Sequence, residues 1–522
     1  MKRSSIILVS IWGLVVLSFL TTQLTGDFMV FWAYAKQVQN SPNSGLSAIV
    51  DIWELKGLLF KNILYLDYIL TSSFITDYSI LCQTLYKFFG LVLYFSILLI
   101  AVRLLPSKYL IGNSRSILFF IVGILLLVTH FAAHFQAEMW GVVFAILALS
   151  LYLNNNLFCK IIAGIIYSLT FYLKSPIPLI GGSLFFGAML IKEQKFKEAI
   201  KDVMPFAISS AVFLSASLFF VYKYYPQEII DIWDASYYQH TLLHEGIGAF
   251  LGAILYLISN GSFFYALYNV TFSLGLISTI IVLVLWGSTK INKPFIILEL
   301  KYKQCIILLV MWFFPLVYVA LSNKYFIYHY YLLVFPAIIT LYIFYRDWNK
   351  KKKHLFYLII GLHTVYYAVF LSSIAPTNLY IKDYYSKMWE DNKTKKGIYV
   401  GCKIGNGEIL YLDAGSGAFT FNNKSYLRYF YPLPLQRIDA EDPFTETDTY
   451  KKVKQKVMDY QGEYITISPD WFFAHENNND IKKKIENEYE LYDVIDVPYI
   501  PWNVFHFEKD VDHLSIYRRL KQ

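Results

Sequence analysis

Long apolar segments recur through residues 1–373, and they restrict what this chain can fold into. The first, 5–22, reads SIILVSIWGLVVLSFLTT and follows Met-Lys-Arg. A helix of about 20 apolar residues crosses a bilayer, with about 17 as the practical minimum. No small-x-small cleavage site closes this segment, so we expect a retained signal-anchor helix. The composition agrees, since 56% of residues are hydrophobic, 16% are charged and the mean hydropathy is +0.43.

Basic residues orient the predicted membrane helices. Cytoplasmic loops carry an excess of Lys and Arg, and alternation from a cytoplasmic N-terminus puts every lysine cluster of this region inside. Joining the two segments around Lys174, Pro176 and Pro178 would reverse that bias, so we keep them separate and predict eleven helices. The predicted spans are 5–22, 84–104, 115–133, 138–155, 158–173, 175–192, 204–222, 265–286, 303–320, 327–345 and 355–373.

This topology leaves two long regions on the outer side of the membrane. One is loop 23–83, in which 28–35 and 58–70 have the pattern of amphipathic helices at a membrane surface. The other is the tail 374–522, where strand-like and helical segments alternate as in a small α/β domain. We therefore predict a polytopic α-helical membrane protein, with a transmembrane domain at 1–373 and an extracytoplasmic α/β domain after it. The strand-like segments are 397–404, 408–414, 426–432 and 463–469, and the helical ones are 450–460 and 479–490.

Ionisable side chains gather in the predicted outer loops. Asp27 follows the first apolar segment directly, and Glu138 begins the fourth predicted helix. A carboxylate can take the proton of an attacking hydroxyl, and Lys or His can hold a phosphate leaving group as its charge develops. An acid at a helix end is, taken alone, more often simply solvated, so the case for Asp27 depends on its neighbours. The other members of this set are Asp51, Glu54, Lys56, His130, His134 and the segments 231–245 and 323–336.

Four features of the sequence, in chain order, match one known pattern. Asp27 stands just after the first apolar segment, where the matching family carries an acid in its first outer loop. ELKGLLFKNILY at 54–65 is similar to an acid-x-Lys-Gly/Pro stretch with Lys56 at its lysine, a Glu-led helix follows at 138–153, and YHYYLLVFPAIITLY at 328–342 is similar to a His-Tyr-Tyr-Leu helix. In the tail, KSYLRYFYPLP at 424–434 is similar to an Arg-Tyr-x-Tyr-Pro stretch. The chain thus resembles GT-C fold enzymes that use polyprenyl-phosphate-linked sugars, namely bacterial relatives of protein O-mannosyltransferases and of the lipid A aminoarabinose transferase.

The resemblance implies an inverting hexosyl or pentosyl transfer at the outer face of the bacterial inner membrane. The donor would be a polyprenyl-phosphate-linked sugar, and the acceptor hydroxyl would belong to a glycan, a lipid or a protein. Asp27 would be the general base, and Glu138 would orient the acceptor or the sugar. Lys56, His329 and Tyr330 would bind the donor phosphate. No nucleic-acid partner is expected, because cytoplasmic lysines account for most of the net charge of +8.

Asp51, Glu54 and His134 are secondary site candidates. Members of this fold differ in whether they need a metal, and His134 with Glu138 is the pair that a divalent metal would use. No ligand spacing in the sequence is typical of a metal site, so no cofactor is assigned.

The sequence also departs from the family pattern. Leu58 replaces the usual Pro of the lysine motif, and Phe28 follows Asp27 where the O-mannosyltransferases have Asp-Glu. The second difference argues against a strictly protein-mannosylating role.

Three other classes of protein fit parts of the pattern. A polytopic transporter would carry ionisable residues at broken helices near the midplane, and the break from Lys174 to Pro178 is the one such feature in the sequence. An O-antigen ligase or polymerase would carry arginines in large outer loops, where arginine is scarce here. A non-enzymatic sensor would use the outer domain alone, without charged residues spread over four outer loops.

Overall fold

A computed structural model of the chain is mostly helical, with a small sheet near the C-terminus. It describes residues 26–54, 56–75, 80–110, 115–127, 135–239, 302–322, 327–347, 379–431, 443–468, 478–498 and 511–521, together with isolated positions between 9 and 20 and at 435 and 472. The chain divides into two compact units. Unit 1 is Met1–Leu20, Gly90–Val221 and Gln239–Ile374, and unit 2 is Thr21–Phe89, Tyr222–Tyr238 and Ala375–Gln522.

The described helices and strands are as follows. The helices are α1 (Gly26–Gln39), α2 (Gly45–Asp51), α3 (Leu58–Ser72), α4 (Ile80–Leu104), α5 (Arg115–Leu127), α6 (Ala137–Tyr152), α7 (Leu157–Ser168), α8 (Gly181–Lys192), α9 (Phe196–Tyr224), α10 (Pro226–Gln239), α11 (Tyr302–Ser322), α12 (Val334–Asp347), α13 (379–396), α14 (Ser416–Thr420), α15 (Asp448–Asp459) and α16 (Asn479–Glu488). Single 3-10 segments cover Ser107–Tyr109, Leu169–Tyr172, Ile177–Ile180, Ile327–Leu333 and Pro443–Glu446. The strands are β1 (Leu410–Leu412), β2 (Tyr464–Ile467), β3 (Tyr489–Pro498) and β4 (Val511–Arg519).

Unit 1 is built around α6, which is buried at every position except Phe144 and Ile146. Helix α6 packs against α7, and α8 packs against α11 and α12. Glycine permits two of the close contacts in this unit. A Cβ at Gly164 would lie 2.2 Å from the Phe206 carbonyl oxygen of α9, and one at Gly182 would lie 2.2 Å from the Phe314 ring of α11. Backbones that approach this closely need small residues at the crossing.

Most of the predicted spans coincide with observed helices. The predicted spans from 84 to 222 correspond to α4 through α9, and the two spans from 303 to 345 correspond to α11 and α12 with its preceding 3-10 turn. The predicted spans 265–286 and 355–373 lie outside the described residues. Among the described residues, two helices are long and apolar enough to cross a membrane, at Leu81–Leu104 and Phe196–Tyr224.

Helix α9 has an unusual surface for a helix in contact with water. Its most apolar stretch is only 6% buried, so most of its aliphatic and aromatic side chains face outward. A large exposed apolar surface marks a membrane or protein contact. Helix α9 is therefore a candidate for contact with lipid.

Unit 2 contains the sheet, whose strand order is β1-β2-β4-β3. Strands β1 and β2 are parallel, whereas β4 is antiparallel to both β2 and β3. A parallel pair needs a crossover connection, and α15 lies on the segment that joins β1 to β2. The apolar side chains of the central strands, such as Ile465, Ile467, Leu514 and Ile516, are fully buried. The prediction that the tail contains both strands and helices is therefore confirmed.

Individual strand predictions in the tail were correct at 408–414 and 463–469, and both predicted helices are present. The predicted strands at 397–404 and 426–432 are wrong. Gly397 and Gly401 have positive φ values of 67° and 95°, which turn the first of these segments. The second is irregular because Arg428 and Tyr431 bind other parts of unit 2. The sequence analysis also missed β4 and most of β3.

Helix α1 is attached to the C-terminal tail by buried hydrogen bonds. The Lys36 amine donates to the carbonyl oxygens of Phe419 and Phe421 at 2.7 and 3.2 Å, at the C-terminal end of α14. The Gln37 amide accepts from the Ser425 N–H at 2.9 Å and donates to the Asn423 carbonyl oxygen at 3.0 Å. The helix is buried on all sides from its third residue through Val38. Its aromatic residues therefore contact protein, and the expected membrane-surface face does not fit α1.

Lys36 is expected to make the stability of the protein depend on pH. Burial lowers its pKa from 10.5 to about 7, so between these values the unfolded chain binds more protons than the folded chain. The free energy of unfolding should then rise with pH above 7, by up to about 1.4 kcal/mol per pH unit. Thermal unfolding of the purified protein between pH 6 and pH 9 measures this effect.

The variant Lys36→Met should have a smaller rise over this pH range than the wild type. Lys382, whose pKa burial also lowers to about 7, supplies part of the remaining dependence. The exposed Lys452 offers a matched control, since Lys452→Met should retain the wild-type slope. Equal slopes in Lys36→Met and the wild type would contradict the prediction.

Candidate functional site

Unit 1 holds a buried group of ionisable side chains, the Glu138 cluster, which consists of Glu138, Lys174, Tyr318 and His329. The Lys174 amine lies 2.8 Å from Glu138 Oε1 and 3.0 Å from His329 Nε2. The Tyr318 hydroxyl donates to the same Glu138 oxygen. The ring of Tyr318 stands edge-on to the ring of His329, with centroids 5.7 Å apart. All four side chains are nearly inaccessible to solvent.

The backbone that carries this cluster is not regular helix. Lys174 lies between the 3-10 segments Leu169–Tyr172 and Ile177–Ile180, where Pro176 and Pro178 prevent a continuous helix. His329 lies in the 3-10 segment Ile327–Leu333, directly before α12. The cluster is therefore carried by short 3-10 segments and by the start of α6, and not by one continuous helix.

Hydrogen bonding fixes the chemistry of the cluster. An ammonium group has only donors, so Nε2 of His329 accepts from Lys174 and the imidazole is neutral in this arrangement. Lys174 is thus the cation of the cluster and Glu138 its anion. Glu138 Oε2 is buried and has no hydrogen-bond partner among the described residues. A buried carboxylate oxygen in that state is costly unless a ligand or water satisfies it.

A second group of charges, the Arg428 cluster, lies in unit 2 and consists of Glu54, Lys56, Lys61, Glu228, Asp231 and Arg428. Arg428 holds the Asp231 carboxylate with both terminal nitrogens, at 2.6 and 2.7 Å. This paired geometry is the strongest form of carboxylate recognition. Arg428 also donates to the Val50 carbonyl oxygen at 2.9 Å, and its own carbonyl oxygen accepts from the Trp53 N–H at 3.0 Å. The tail segment 424–434 therefore contacts the predicted outer loop.

The remaining charges of the Arg428 cluster are also paired. Lys61 lies 2.7 Å from Glu228, and Lys56 lies 3.2 Å from Glu54. Tyr431 donates to the second oxygen of Glu54 at 3.2 Å. Burial and the neighbouring carboxylates, Glu228 before Glu54, hold the pKa of the Tyr34 hydroxyl well above its usual range. Three cations face three carboxylates, so the cluster is electrically balanced as it stands.

The structure brings together some of the predicted site residues. Glu138 and His329 meet in unit 1, and Glu54 and Lys56 meet in unit 2. Asp51, in contrast, ends α2 with an exposed side chain that accepts from Asn43, outside both clusters.

Four residues that the sequence analysis singled out receive no side-chain description. Asp27 lies in the first turn of α1 and Tyr330 lies in the 3-10 segment Ile327–Leu333, but the side chains of both are outside what the structure describes. His130 and His134 lie outside the described residues altogether, so the pairing of His134 with Glu138 for a metal has no structural test. Within the described part of the chain, no three His, Cys, Asp or Glu side chains are grouped as a metal would need.

Sequence reasoning missed several members of the two clusters. Lys174 carried a signal, because it is the sole charged residue between Lys160 and Lys192, and a lone charge in an apolar stretch is functional by default. It was interpreted only as a helix break. Tyr318 had no signal in a chain with 44 tyrosines. Lys61, Glu228 and Arg428 depend on long-range pairing that local pattern does not reveal.

Comparison with known proteins adds no assignment. No protein-family model matches the chain, and no curated protein matches it either.

The Lys174–Glu138 ion pair should stabilise unit 1 as a unit. Removing one partner from a buried pair costs about 3–5 kcal/mol, because the other charge remains buried and unpaired. We expect Lys174→Met and Glu138→Gln each to lower the thermal stability of the purified protein strongly. The double variant should lose much less than the sum of the two.

Thermal unfolding of the four proteins in one detergent gives the coupling directly. Lys387→Met is a matched control, since Lys387 forms an exposed pair with Asp383 and its loss should have little effect. Strictly additive losses for Lys174 and Glu138 would show that the two side chains do not stabilise one another.

Proposed function

We propose that this chain is an integral-membrane glycosyltransferase of the bacterial inner membrane. It would move a sugar, with inversion, from a polyprenyl-phosphate-linked donor to an acceptor hydroxyl at the outer face. Asp27 would act as the general base. Glu138 would orient the sugar or the acceptor, and Lys56 would bind the donor phosphate together with His329 and Tyr330.

The observation that carries this proposal is the meeting of Glu138 and His329 at Lys174. The family resemblance assigns Glu138 and His329, which are far apart in the sequence, to one reaction. In the same buried cluster, His329 Nε2 lies 3.7 Å from Glu138 Oε1. The buried oxygen Glu138 Oε2 has no hydrogen-bond partner among the described residues, so it could accept from a hydroxyl of the sugar or of the acceptor. Lys174 adds a cation for a phosphate, and in its presence His329 would act as a neutral hydrogen-bonding group.

Lys56 supports the proposal in a different way. Its side chain is 8% exposed, and its amine contacts Glu54 and lies 5.0 Å from the centre of the Phe31 ring. Since the Arg428 cluster is balanced, an arriving phosphate would compete with Glu54 for Lys56. A dianionic or monoanionic phosphate makes strong charge-assisted hydrogen bonds with an amine, so this exchange is chemically reasonable.

Proton-coupled transport is a second candidate function. In the Glu138 cluster, both Lys174 and His329 lie where short 3-10 segments interrupt the helices. Interrupted helices of this kind are typical of transporters. Transport and transfer differ in their products, because transport leaves the glycans of the cell envelope chemically unchanged. Mass spectrometry of envelope glycolipids and glycans from cells with and without the gene separates the two functions.

Asp27→Asn is expected to abolish the glycan difference between cells with and without the gene. An amide cannot accept the acceptor proton, and loss of a general base lowers the rate by about 10²- to 10⁴-fold. Wild-type protein supplied from a plasmid should restore the product, whereas Asp27→Asn should not. The measurement is mass spectrometry of the same envelope fractions.

Asp391→Asn is the matched control, because this exposed acid in α13 has no role in the proposal. All variants must be present in membranes at the wild-type level, as judged by immunoblot. Normal product from Asp27→Asn would remove Asp27 from the role of base.

Lys56→Met should reduce product formation by roughly 10²-fold, the cost of losing a preorganised charge at a developing phosphate. Lys56→Arg keeps the charge and should recover part of the activity. In membrane vesicles the loss should appear as a higher concentration of lipid-linked donor at half-maximal rate. An unchanged donor dependence in Lys56→Met would exclude Lys56 from phosphate binding.

A further inference from the structure

Unit 1 contains a partly open apolar cavity of about 80 Å³ between α4, α5, α6 and α12. Its walls are aliphatic and aromatic, with Tyr109, Ser150 and Tyr342 as the polar contributors. The lining residues come from the C-terminal halves of α4 and α6 and the turns after them, from the end of α8, from 118–125 of α5 and from 335–342 of α12. In the predicted topology, the α4, α6, α8 and α12 segments run toward the cytoplasmic side and α5 begins there.

Basic side chains surround the end of this cavity. Lys108 lies 4.7 Å from the centre of the ring of its neighbour Tyr109, which lines the cavity. Arg346 donates to the carbonyl oxygen of Ile191, another lining residue, at 2.9 Å. Lys192 directly follows Ile191 and interacts electrostatically with both Lys108 and Lys160.

The charge around this rim is not balanced. Asp202 holds both Lys192, at 2.8 Å, and Lys160, and it also accepts from the Tyr152 hydroxyl at 3.0 Å. Arg346 contacts Glu193 at 3.3 Å, and Glu193 is 67% exposed. With Lys108 included, four cations stand against two carboxylates among the rim side chains that the structure describes. This described part of the rim therefore has an excess of two positive charges beside an apolar cavity.

We propose that this cavity binds an anionic phospholipid of the cytoplasmic leaflet. Part of one acyl chain lies among the aliphatic walls, and the phosphate of the headgroup contacts Lys108, Lys192 and Arg346. Basic pockets between membrane helices on the cytoplasmic side favour anionic headgroups, and a chain buried in the cavity gains about the transfer free energy of its methylene groups. The proposal uses the membrane location in the proposed function but none of its chemistry.

Native mass spectrometry of the full-length protein tests this site. The protein is reconstituted in nanodiscs with equal amounts of phosphatidylglycerol and phosphatidylcholine and released into a mild detergent. We expect one retained phosphatidylglycerol per protein and little retained phosphatidylcholine. Lys108→Gln changes an exposed side chain. This variant and Arg346→Gln should each weaken the retention of phosphatidylglycerol about fivefold, because each removes one positive charge near the headgroup.

Ile338→Trp probes the apolar half of the site, because Ile338 lines the cavity and is only partly buried. A bulky ring there should displace the chain and abolish retention, while Lys452→Gln in unit 2 should leave it unchanged. Equal retention of both lipids by the wild type, or unchanged retention in Ile338→Trp, would overturn the proposal. Displacement of phosphatidylglycerol by added polyprenyl phosphate would instead identify the cavity as a donor site. None of these outcomes depends on sugar transfer, so they are separate from the test of Asp27.

Discussion

An ammonium group buried among apolar helices requires a carboxylate beside it, and the core of unit 1 is arranged around that requirement. Lys174 and Glu138 meet 2.8 Å apart, and the two-proline interruption is what brings Lys174 to the depth of Glu138. In a continuous helix from α7 to α8, the position of Lys174 would be set by helical periodicity and not by the contact with Glu138. The interruption also leaves backbone groups free to bind elsewhere, which a regular membrane helix does not. Stability and candidate chemistry therefore depend on the same contact.

Unit 2 satisfies its buried charges by a different route. Its cations and carboxylates come from the predicted outer loop, from α10 and from the tail, and each pair joins two of these segments or stabilises one turn. Pairs of this kind contribute little net stability compared with apolar packing, but they specify which segments meet. The bidentate contact of Arg428 with Asp231 fixes the position of an irregular segment that has no sheet or helix of its own. The geometry of Glu54 and Lys56 depends on that segment through Tyr431.

The sequence was informative where periodicity or composition carries the signal. Apolar length located most of the helices of unit 1, and the 3.6-residue pattern located α15 and α16. Strands were harder, because β4 carries Asp512, His513 and Arg518 among its apolar residues and does not alternate cleanly. Glu138 and His329 were predicted as site residues with separate roles, and the structure places them 3.7 Å apart, whereas Lys174 between them was not predicted. Pairings such as Arg428 with Asp231 join residues 197 positions apart, and a single sequence holds no local record of them.

The attachment of α1 to the tail has a consequence for the order of synthesis. Lys36 binds carbonyl groups that lie 383 and 385 positions later in the chain. A ribosome adds about 5–20 residues per second, so α1 leaves the ribosome tens of seconds before its binding partner exists. During that interval its apolar surface needs temporary cover, from the membrane surface or from a chaperone. The final structure of unit 2 is thus a late event in the life of the nascent chain, reached only after the tail has been synthesised.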